Sequence, residues 1–249
     1  MIYAVINQKG GVGKTTTASA LIAGLAQRGR KCLAIDTDPQ CNLTSLAGIT
    51  QQEQGTILGV LMKETDAASA VKTAEKYSLL PSSPALSGAD AFIVSTGREY
   101  RLKEAIRAIS GQFDDVVIDT PPTLGILTIN ALTACDQVII PAQADLFSLQ
   151  GIEQLFTTIE PVKKYCNPHL EVAGILLTRF NSRTILSKEI AELASQIANR
   201  NGTRLFAAKI REATSIKEAQ ILRRNIFDYA PNAKVAEDYN NFIDELLDI

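Results

Sequence analysis

The sequence is poor in the residues that build metal and redox sites. Its 249 residues include one histidine, four cysteines and no tryptophan. None of the cysteines has the C-x-x-C spacing of a zinc or dithiol site, so we expect free, mostly buried thiols at Cys32, Cys41, Cys135 and Cys166. The histidine, His169, lies in a predicted loop, "CNPHLEV". We therefore do not expect it to act as a catalytic base.

Long apolar runs and a large net charge are also absent. No stretch approaches the ~20 consecutive apolar residues that a transmembrane helix needs. The formal net charge of -2 says little about the partners of the protein. With 46% hydrophobic residues, the chain can bury the core of one α/β domain, which we predict to span residues 1–249. We expect a cytoplasmic protein that does not bind membranes.

Apolar segments of strand length alternate with helical patterns. After the first segment, "MIYAVIN", the predicted strands lie at residues 31–36, 77–83, 114–122, 136–143, 171–180 and 203–210. Between them, "YRLKEAIRAI" at 100–109 has apolar residues three and four positions apart, as an amphipathic helix does. For residues 50–75, which are hard to interpret, we predict short helices. The alternation predicts an α/β fold with a mostly parallel central sheet flanked by helices.

The segment "NQKGGVGKTT" at residues 7–16 joins the first predicted strand to an alanine- and leucine-rich helix. It matches the phosphate-loop pattern G-x-x-x-x-G-K-[ST] except at Gln8, which occupies the position of the first glycine. In such a loop backbone N–H groups surround the phosphates, a lysine contacts the β and γ oxygens, and a hydroxyl binds Mg²⁺. We therefore predict that Lys14 binds phosphate and that Thr15 binds Mg²⁺. The loop's predicted nucleotide-binding residues are Lys9, Gly10, Gly11, Val12, Gly13, Lys14, Thr15 and Thr16.

Three aspartates follow two other predicted strands. Asp36 and Asp38 lie in "LAIDTDPQCN", and Asp119 ends the buried run of "DDVVIDTPPTLG". Open α/β sheets bind ligands at the carboxyl ends of their strands, so these side chains are expected near the triphosphate. We predict that Asp36 and Asp119 contact the water shell of Mg²⁺, whereas Asp38 orients the attacking water and lies close to the metal. The segment after Asp119 has the composition of a switch that responds to the γ-phosphate.

Taken together, these segments resemble the ParA/MinD family of deviant Walker A P-loop ATPases. The resemblance rests on "QKGGVGKTTT", "AIDTDPQCNLT", "VVIDTPPTLGILTINAL", "VIIPAQADLFSLQGIEQL" and "GILLTRFNSRTILSKEI", and it covers nearly the whole chain. It is closest to the Soj/ParA branch that partitions chromosomes and plasmids. The resemblance implies ATP and Mg²⁺ as cofactors, an ATP-dependent homodimer and a ParB-type centromere-binding partner.

The resemblance also assigns roles to residues. The second lysine of the loop, Lys9, corresponds to the signature lysine that contacts the phosphates of the other subunit in an ATP-sandwich dimer. The predicted catalytic residues are therefore Lys9, Lys14 and Asp38. By position, Ile210 and Arg211 would contact the nucleotide, although Lys209 replaces a proline that relatives often carry in this segment.

Residues 179–224 hold ten basic and four acidic residues, whereas the end of the chain is acidic. Binding to DNA of any sequence depends on lysine and arginine facing phosphates. We predict nonspecific DNA binding and a nucleoid-associated location, with contacts from Arg200, Arg204, Lys217, Arg223 and Arg224. Ordinary solvated charge is the alternative for each of these residues.

Three other functions remain open at this point. Positioning of a protein cargo would use a similar ATPase. A MinD-type membrane cycle would need a basic amphipathic helix at the C-terminus, where this sequence has the acidic "AEDYNNFIDELLDI". A small-molecule kinase or ligase could share the fold, whereas a reductase of the nitrogenase iron protein type is disfavoured because no suitable cysteine pair is visible.

Overall fold

The computed structural model describes residues 1–50 and 55–248. The strands are β1 (Ile2–Val5), β2 (Cys32–Asp36), β3 (Lys72–Thr73), β4 (Ser78–Leu80), β5 (Asp115–Asp119), β6 (Gln137–Gln143) and β7 (Glu171–Thr178). They form one seven-stranded sheet in the order β3-β4-β2-β5-β1-β6-β7. All neighbouring strands are parallel except β3 and β4. The predicted mostly parallel sheet is confirmed.

Helices cover both faces of this sheet. In chain order they are α1 (Lys14–Gln27), α2 (Asn42–Leu46), α3 (Ile57–Leu61), α4 (Ala67–Ala70), α5 (Ala89–Phe92), α6 (Arg101–Ile109), α7 (Ile126–Ala134), α8 (Leu146–Tyr165), α9 (Ile185–Arg200), α10 (Thr214–Ile221), α11 (Ile226–Tyr229) and α12 (Lys234–Leu247). Helix α6 confirms the amphipathic pattern predicted for residues 100–109. Short helices α3 and α4 lie in the region 50–75, where the sequence predicted short helices. Residues 51–54 of that region and residue 249 of the predicted domain lie outside the described residues.

The two faces of the sheet carry separate hydrophobic clusters. Along β1, Ala4 belongs to the cluster beneath α6, α7, α8 and α9, whereas Tyr3 and Val5 belong to the cluster beneath α1 and α12. Successive side chains of a strand point to opposite faces, so a sheet covered on both faces needs apolar residues at every position. This requirement explains why the central strands appear in the sequence as continuous apolar runs.

The prediction of a strand at 203–210 is wrong. Only Leu205 forms a bridge, with Ile175 of β7. The backbone N–H groups of Ala207 and Ala208 donate to the carboxylate of Glu245, at 2.8 and 2.9 Å, instead of to a neighbouring strand. An apolar segment whose N–H groups bind a side chain cannot continue a ladder.

Two smaller predictions are confirmed. All four cysteines are free thiols, and only Cys166 is partly exposed. His169 lies exposed in the turn between α8 and β7.

Among the described residues, no helix is both long enough and apolar enough to span a bilayer.

Candidate nucleotide-binding site

The glycine-rich loop connects β1 to α1 at the carboxyl end of the sheet. Gly11 and Gly13 have φ angles of 76° and 89°, in the left-handed region that glycine adopts without strain. Gly13 immediately precedes α1, where free N–H groups and the helix dipole favour an anion. Gly10 has no atom within 4 Å of the position that a Cβ would take, so the loop is open toward its cavity.

A cavity of about 710 Å³ lies over this loop. Its lining includes the predicted residues Gly10, Gly11, Gly13, Lys14, Thr15, Thr16 and Asp38. The side chain of Val12 is fully buried, so only its backbone can contribute. The structure therefore brings the loop residues and one of the three predicted aspartates together around a space that can hold a nucleotide.

Two hydrogen bonds hold the loop against the neighbouring strands. The Thr178 hydroxyl, at the end of β7, donates to the Val12 carbonyl at 2.8 Å. The Gln143 amide, at the end of β6, donates to the Gly11 carbonyl at 2.8 Å. These bonds fix the orientation of two peptide groups and so preorganise the loop. Neither residue was predicted, because a single polar residue at a strand end carries no distinctive local signal.

Lys14 is buried beside the cavity. Its ammonium donates to the carbonyl of Lys9 at 3.2 Å, within the loop itself. Burial lowers the pKa of Lys14, whereas the nearby Asp119 and Asp38 carboxylates act in the opposite direction. A buried ammonium with a single neutral acceptor can gain strong charge-assisted hydrogen bonds from phosphate oxygens.

Asp36 and Asp119 lie side by side on β2 and β5, because their residues are register partners. The Asp36 carboxylate accepts hydrogen bonds from the backbone N–H and hydroxyl of Thr44, at 2.8 and 2.7 Å, and from the Asp38 N–H at 3.1 Å. Burial raises the pKa of Asp36 to about 6 in spite of these bonds. Asp36 therefore positions Asp38 and the start of α2, and its contact with the metal's water shell stays a prediction.

Asp119 is fully buried, and among the described residues neither of its carboxylate oxygens has a partner at full hydrogen-bond geometry, although the Thr15 hydroxyl lies beside it. Burial and the adjacent Asp36 carboxylate raise the pKa of Asp119 well above its ordinary value. An unpaired buried carboxylate is costly unless a cation or an ordered water satisfies it. The side chain thus fits a hydrated Mg²⁺ next to the Thr15 hydroxyl.

No group of three or more acidic, histidine or cysteine side chains is arranged as a metal cage within residues 1–50 and 55–248. Mg²⁺ at nucleotide sites usually keeps several waters and binds substrate phosphates with only one or two protein ligands. The donor set of Thr15 with Asp119 nearby agrees with that chemistry. Asp38 Oδ1 accepts from the Gln40 N–H at 2.9 Å, and contact between Asp38 and the metal stays a prediction.

The Lys9 ammonium is bound outside the lining of the phosphate cavity. Its ammonium contacts both carboxylate oxygens of Asp145, at 2.8 and 2.9 Å, and the Ser148 hydroxyl at 3.2 Å. Asp145 also caps α8 by accepting from the Ser148 N–H. Partial burial acts to raise the pKa of Asp145, but the bonds from Lys9 and Ser148 outweigh it and hold that pKa below its ordinary value.

Ile210 and Arg211 line a smaller cavity of about 80 Å³, together with Gly13 and Thr16 of the loop. Ile210 is buried. The Arg211 guanidinium donates to both oxygens of Asp238 at 2.6 Å, which leaves it poorly available as a phosphate ligand. Nucleotide contact by both residues stays a prediction.

The five basic residues that we predicted to bind DNA do not form one surface. Arg200 pairs with a glutamate of α8, and Arg204 donates to the Ala173 carbonyl near the amino end of β7. Lys217 and Arg223 instead line the nucleotide cavity at the carboxyl ends of the strands. Arg224 donates to the Asp228 carbonyl and belongs to this second group. The chain crosses from one end of β7 to the other between the two groups, and DNA contact by each of the five residues stays a prediction.

Known proteins share both the sequence and the fold. A family model described as an AAA domain matches residues 1–172. The sporulation initiation inhibitor protein Soj of Bacillus subtilis is 37% identical over 98% of this chain and 97% of its own length, and the chromosome partitioning protein ParA of Myxococcus xanthus is 38% identical over 96% and 84%. A solved structure described as cobyrinic acid a,c-diamide synthase from Mycobacterium smegmatis, with bound ADP and magnesium, is 35% identical with a TM-score of 0.86, and the match covers 99% of this chain and 93% of that one.

The fold combines a mostly parallel sheet, a glycine-rich loop between β1 and α1, a buried lysine, and carboxylates at the ends of adjacent strands. Together these features define a P-loop ATPase. The near full-length similarity to Soj and ParA makes the assignment narrower: the chain belongs to the ParA/MinD family of deviant Walker A ATPases. Its cofactors are ATP and Mg²⁺.

Proposed function

We propose that the protein is a partition ATPase that dimerises on ATP, binds nonspecific DNA as a dimer and is released when a ParB-type partner stimulates hydrolysis. Through this cycle it would segregate DNA over the nucleoid. The orientation of Lys9 is the observation that carries the proposal. A loop lysine that does not reach the phosphates of its own subunit, and that lies exposed enough to move, is available to contact the nucleotide of a second subunit.

Within this cycle we assign separate roles in phosphate binding and water activation to residues of this chain. The loop N–H groups and Lys14 bind the phosphates, and Asp38 orients the attacking water because Asp36 holds its backbone at the edge of the cavity. Bound Mg²⁺ supplies charge neutralisation at the β and γ oxygens. The segment after Asp119 would respond to loss of the γ-phosphate, since it adjoins both the cavity and α7.

Of the two basic groups, the one near the cavity is the better candidate for DNA. It lies at the same end of the sheet as Lys9, so dimerisation through that end would bring two copies close together. Doubling the number of phosphate contacts makes binding dependent on dimerisation and steeply dependent on salt. Arg200 and Arg204 would then add little to ATP-dependent binding.

The test compares matched charge reversals in the two groups. Arg224→Glu and Arg204→Glu would be measured for binding to two duplexes of unrelated sequence, with a non-hydrolysable ATP analogue and across a salt series. We expect Arg224→Glu to weaken binding to both duplexes about equally and to reduce the salt slope by about one per subunit. Arg204→Glu is the control and should change little. If wild type binds neither duplex, the DNA proposal is wrong.

Three outcomes would favour other functions. Acceleration of ATP turnover by a protein cargo complex, without any effect of DNA, would favour positioning of that cargo. Acceleration of ATP turnover by cobyrinic acid would favour a ligase, in keeping with the name of the solved Mycobacterium structure. Binding to anionic vesicles would contradict the expectation that the acidic α12 keeps the protein off membranes.

A further inference from the structure

Two arginines adopt a backbone conformation that disfavours them. Arg179, directly after β7, has a φ of 48°. Arg223 has a φ of 53° in the turn that ends α10, where its N–H donates to the Gln220 carbonyl at 3.1 Å. In this left-handed region a Cβ is crowded, and glycine would be free of that strain. Strained non-glycine residues are often retained where a side chain serves a ligand.

Both arginines line the nucleotide cavity, and both are exposed. Among the described residues, neither guanidinium has an ion pair or a side-chain hydrogen bond. Their neighbours differ in this respect, because Arg211 is bound by Asp238 and Arg224 by the Asp228 carbonyl. The cavity therefore has two strained arginines whose planar groups are free.

The shape of the site indicates which part of a nucleotide meets them. The loop and Lys14 fix the phosphates at the floor of the cavity, so ribose and base must extend along the remaining wall. Arg179 lines that wall and also the smaller cavity beside Ile210. On the other side, α10 is held over the start of α1 by the Gln220 amide, which donates to the Thr16 hydroxyl at 3.0 Å. Arg223 lies in the turn that ends α10, so the two arginines approach the base region from different elements.

We propose that Arg179 and Arg223 form a base clamp in which their guanidinium planes stack on the purine of the bound nucleotide. Guanidinium is planar and weakly hydrated, so it stacks on aromatic rings in a way that a lysine ammonium does not. The inference rests on ATP binding by the loop and does not depend on the DNA and partner steps proposed above. It also moves Arg223 from the predicted DNA contacts to the nucleotide site.

The first test separates stacking from charge. Arg179→Lys and Arg223→Lys keep the positive charge but lose the planar group, and Arg107→Lys on α6 is the matched control. Binding of a non-hydrolysable ATP analogue and of inorganic tripolyphosphate would be measured by calorimetry with Mg²⁺ and without DNA. We expect each clamp variant to bind the ATP analogue roughly fivefold more weakly and tripolyphosphate within about twofold of wild type.

The second test uses the backbone strain. Arg179→Gly and Arg223→Gly should relieve the left-handed strain, so the nucleotide-free variants should melt at the same temperature as wild type or higher. The same variants should lose affinity for the ATP analogue. A residue with only a structural role would not combine unchanged or raised stability with weaker nucleotide binding.

Three results would overturn the clamp. Equal loss of ATP analogue and tripolyphosphate affinity would show that the arginines contact phosphates. Unchanged affinity for the ATP analogue would show that they do not contact the nucleotide. If wild type binds tripolyphosphate as tightly as the ATP analogue, the base adds no affinity and there is no clamp. If wild type binds neither ligand, the assignment of the phosphate loop is itself refuted.

Discussion

Asp145 should restrain the proposed ATP-dependent dimerisation, because it holds the lysine that the proposed dimer would need. Lys9 cannot contact a partner's phosphates while its ammonium is bound to the Asp145 carboxylate. Asp145→Asn removes the charge but keeps a side-chain oxygen that can cap α8, since asparagine is as good a capping residue as aspartate. The variant therefore weakens the ion pair with little effect on the helix.

The expected size follows from the exposure of the pair. The side chains of Lys9 and Asp145 are each 33% exposed, so solvent screens an interaction that distances of 2.8 and 2.9 Å would otherwise make strong. We take about 1 kcal/mol for such a pair, which corresponds to roughly fivefold in an equilibrium constant. A dimer releases two of these pairs, so the dimerisation constant of Asp145→Asn should rise by up to about 25-fold.

Sedimentation over a series of protein concentrations, with Mg²⁺ and a non-hydrolysable ATP analogue, measures this constant. Asp66→Asn is the control, because Asp66 caps α4 by accepting from the Ser69 N–H at 3.1 Å and lies outside the site. A dimerisation constant that is unchanged or lower in Asp145→Asn would refute the reasoning. A lower constant would mean that Asp145 holds Lys9 in the position that the dimer uses.

Three further outcomes are expected. Lys14→Ala should abolish binding of ATP in calorimetry, because it removes the buried ammonium that contacts the phosphates, and wild-type affinity would argue against the phosphate site. Asp38→Ala should bind ATP normally but hydrolyse it at least about 100-fold more slowly, and a normal rate in a phosphate-release assay would assign water activation elsewhere. Gly174→Ala should lower the free energy of unfolding in urea by roughly 1–3 kcal/mol. The new Cβ would lie 2.7 Å from the Phe206 ring and 3.0 Å from the Arg204 carbonyl. An unchanged urea midpoint would show that the neighbouring atoms move aside without cost.

The phosphate loop and its aspartates were predictable because their signals are local. Buried parallel strands are continuous apolar runs, and the loop and carboxylates follow such runs directly in the sequence. The topology then brings Asp36 and Asp119 together on adjacent strands without any further specification. For this part of the site, recognising the strand ends was sufficient.

The remaining features depend on contacts between distant segments. The segment 203–210 has the composition of a strand, but the N–H groups of Ala207 and Ala208 are bound by Glu245, 37 residues or more along the chain. Arg179 and Arg223 enter one cavity from segments that the sequence shows only as basic. Charge composition alone likewise could not show that Arg204 and Arg224 lie in different groups.

Lys9→Ala tests the central claim most directly, because the account gives this lysine no part in its own subunit's phosphate site. Nucleotide affinity and sedimentation should be measured on the same samples, with Mg²⁺ and a non-hydrolysable ATP analogue. Lys9→Ala should still bind the nucleotide but remain monomeric at concentrations at which wild type is dimeric. Dimers of wild-type stability in Lys9→Ala would contradict it.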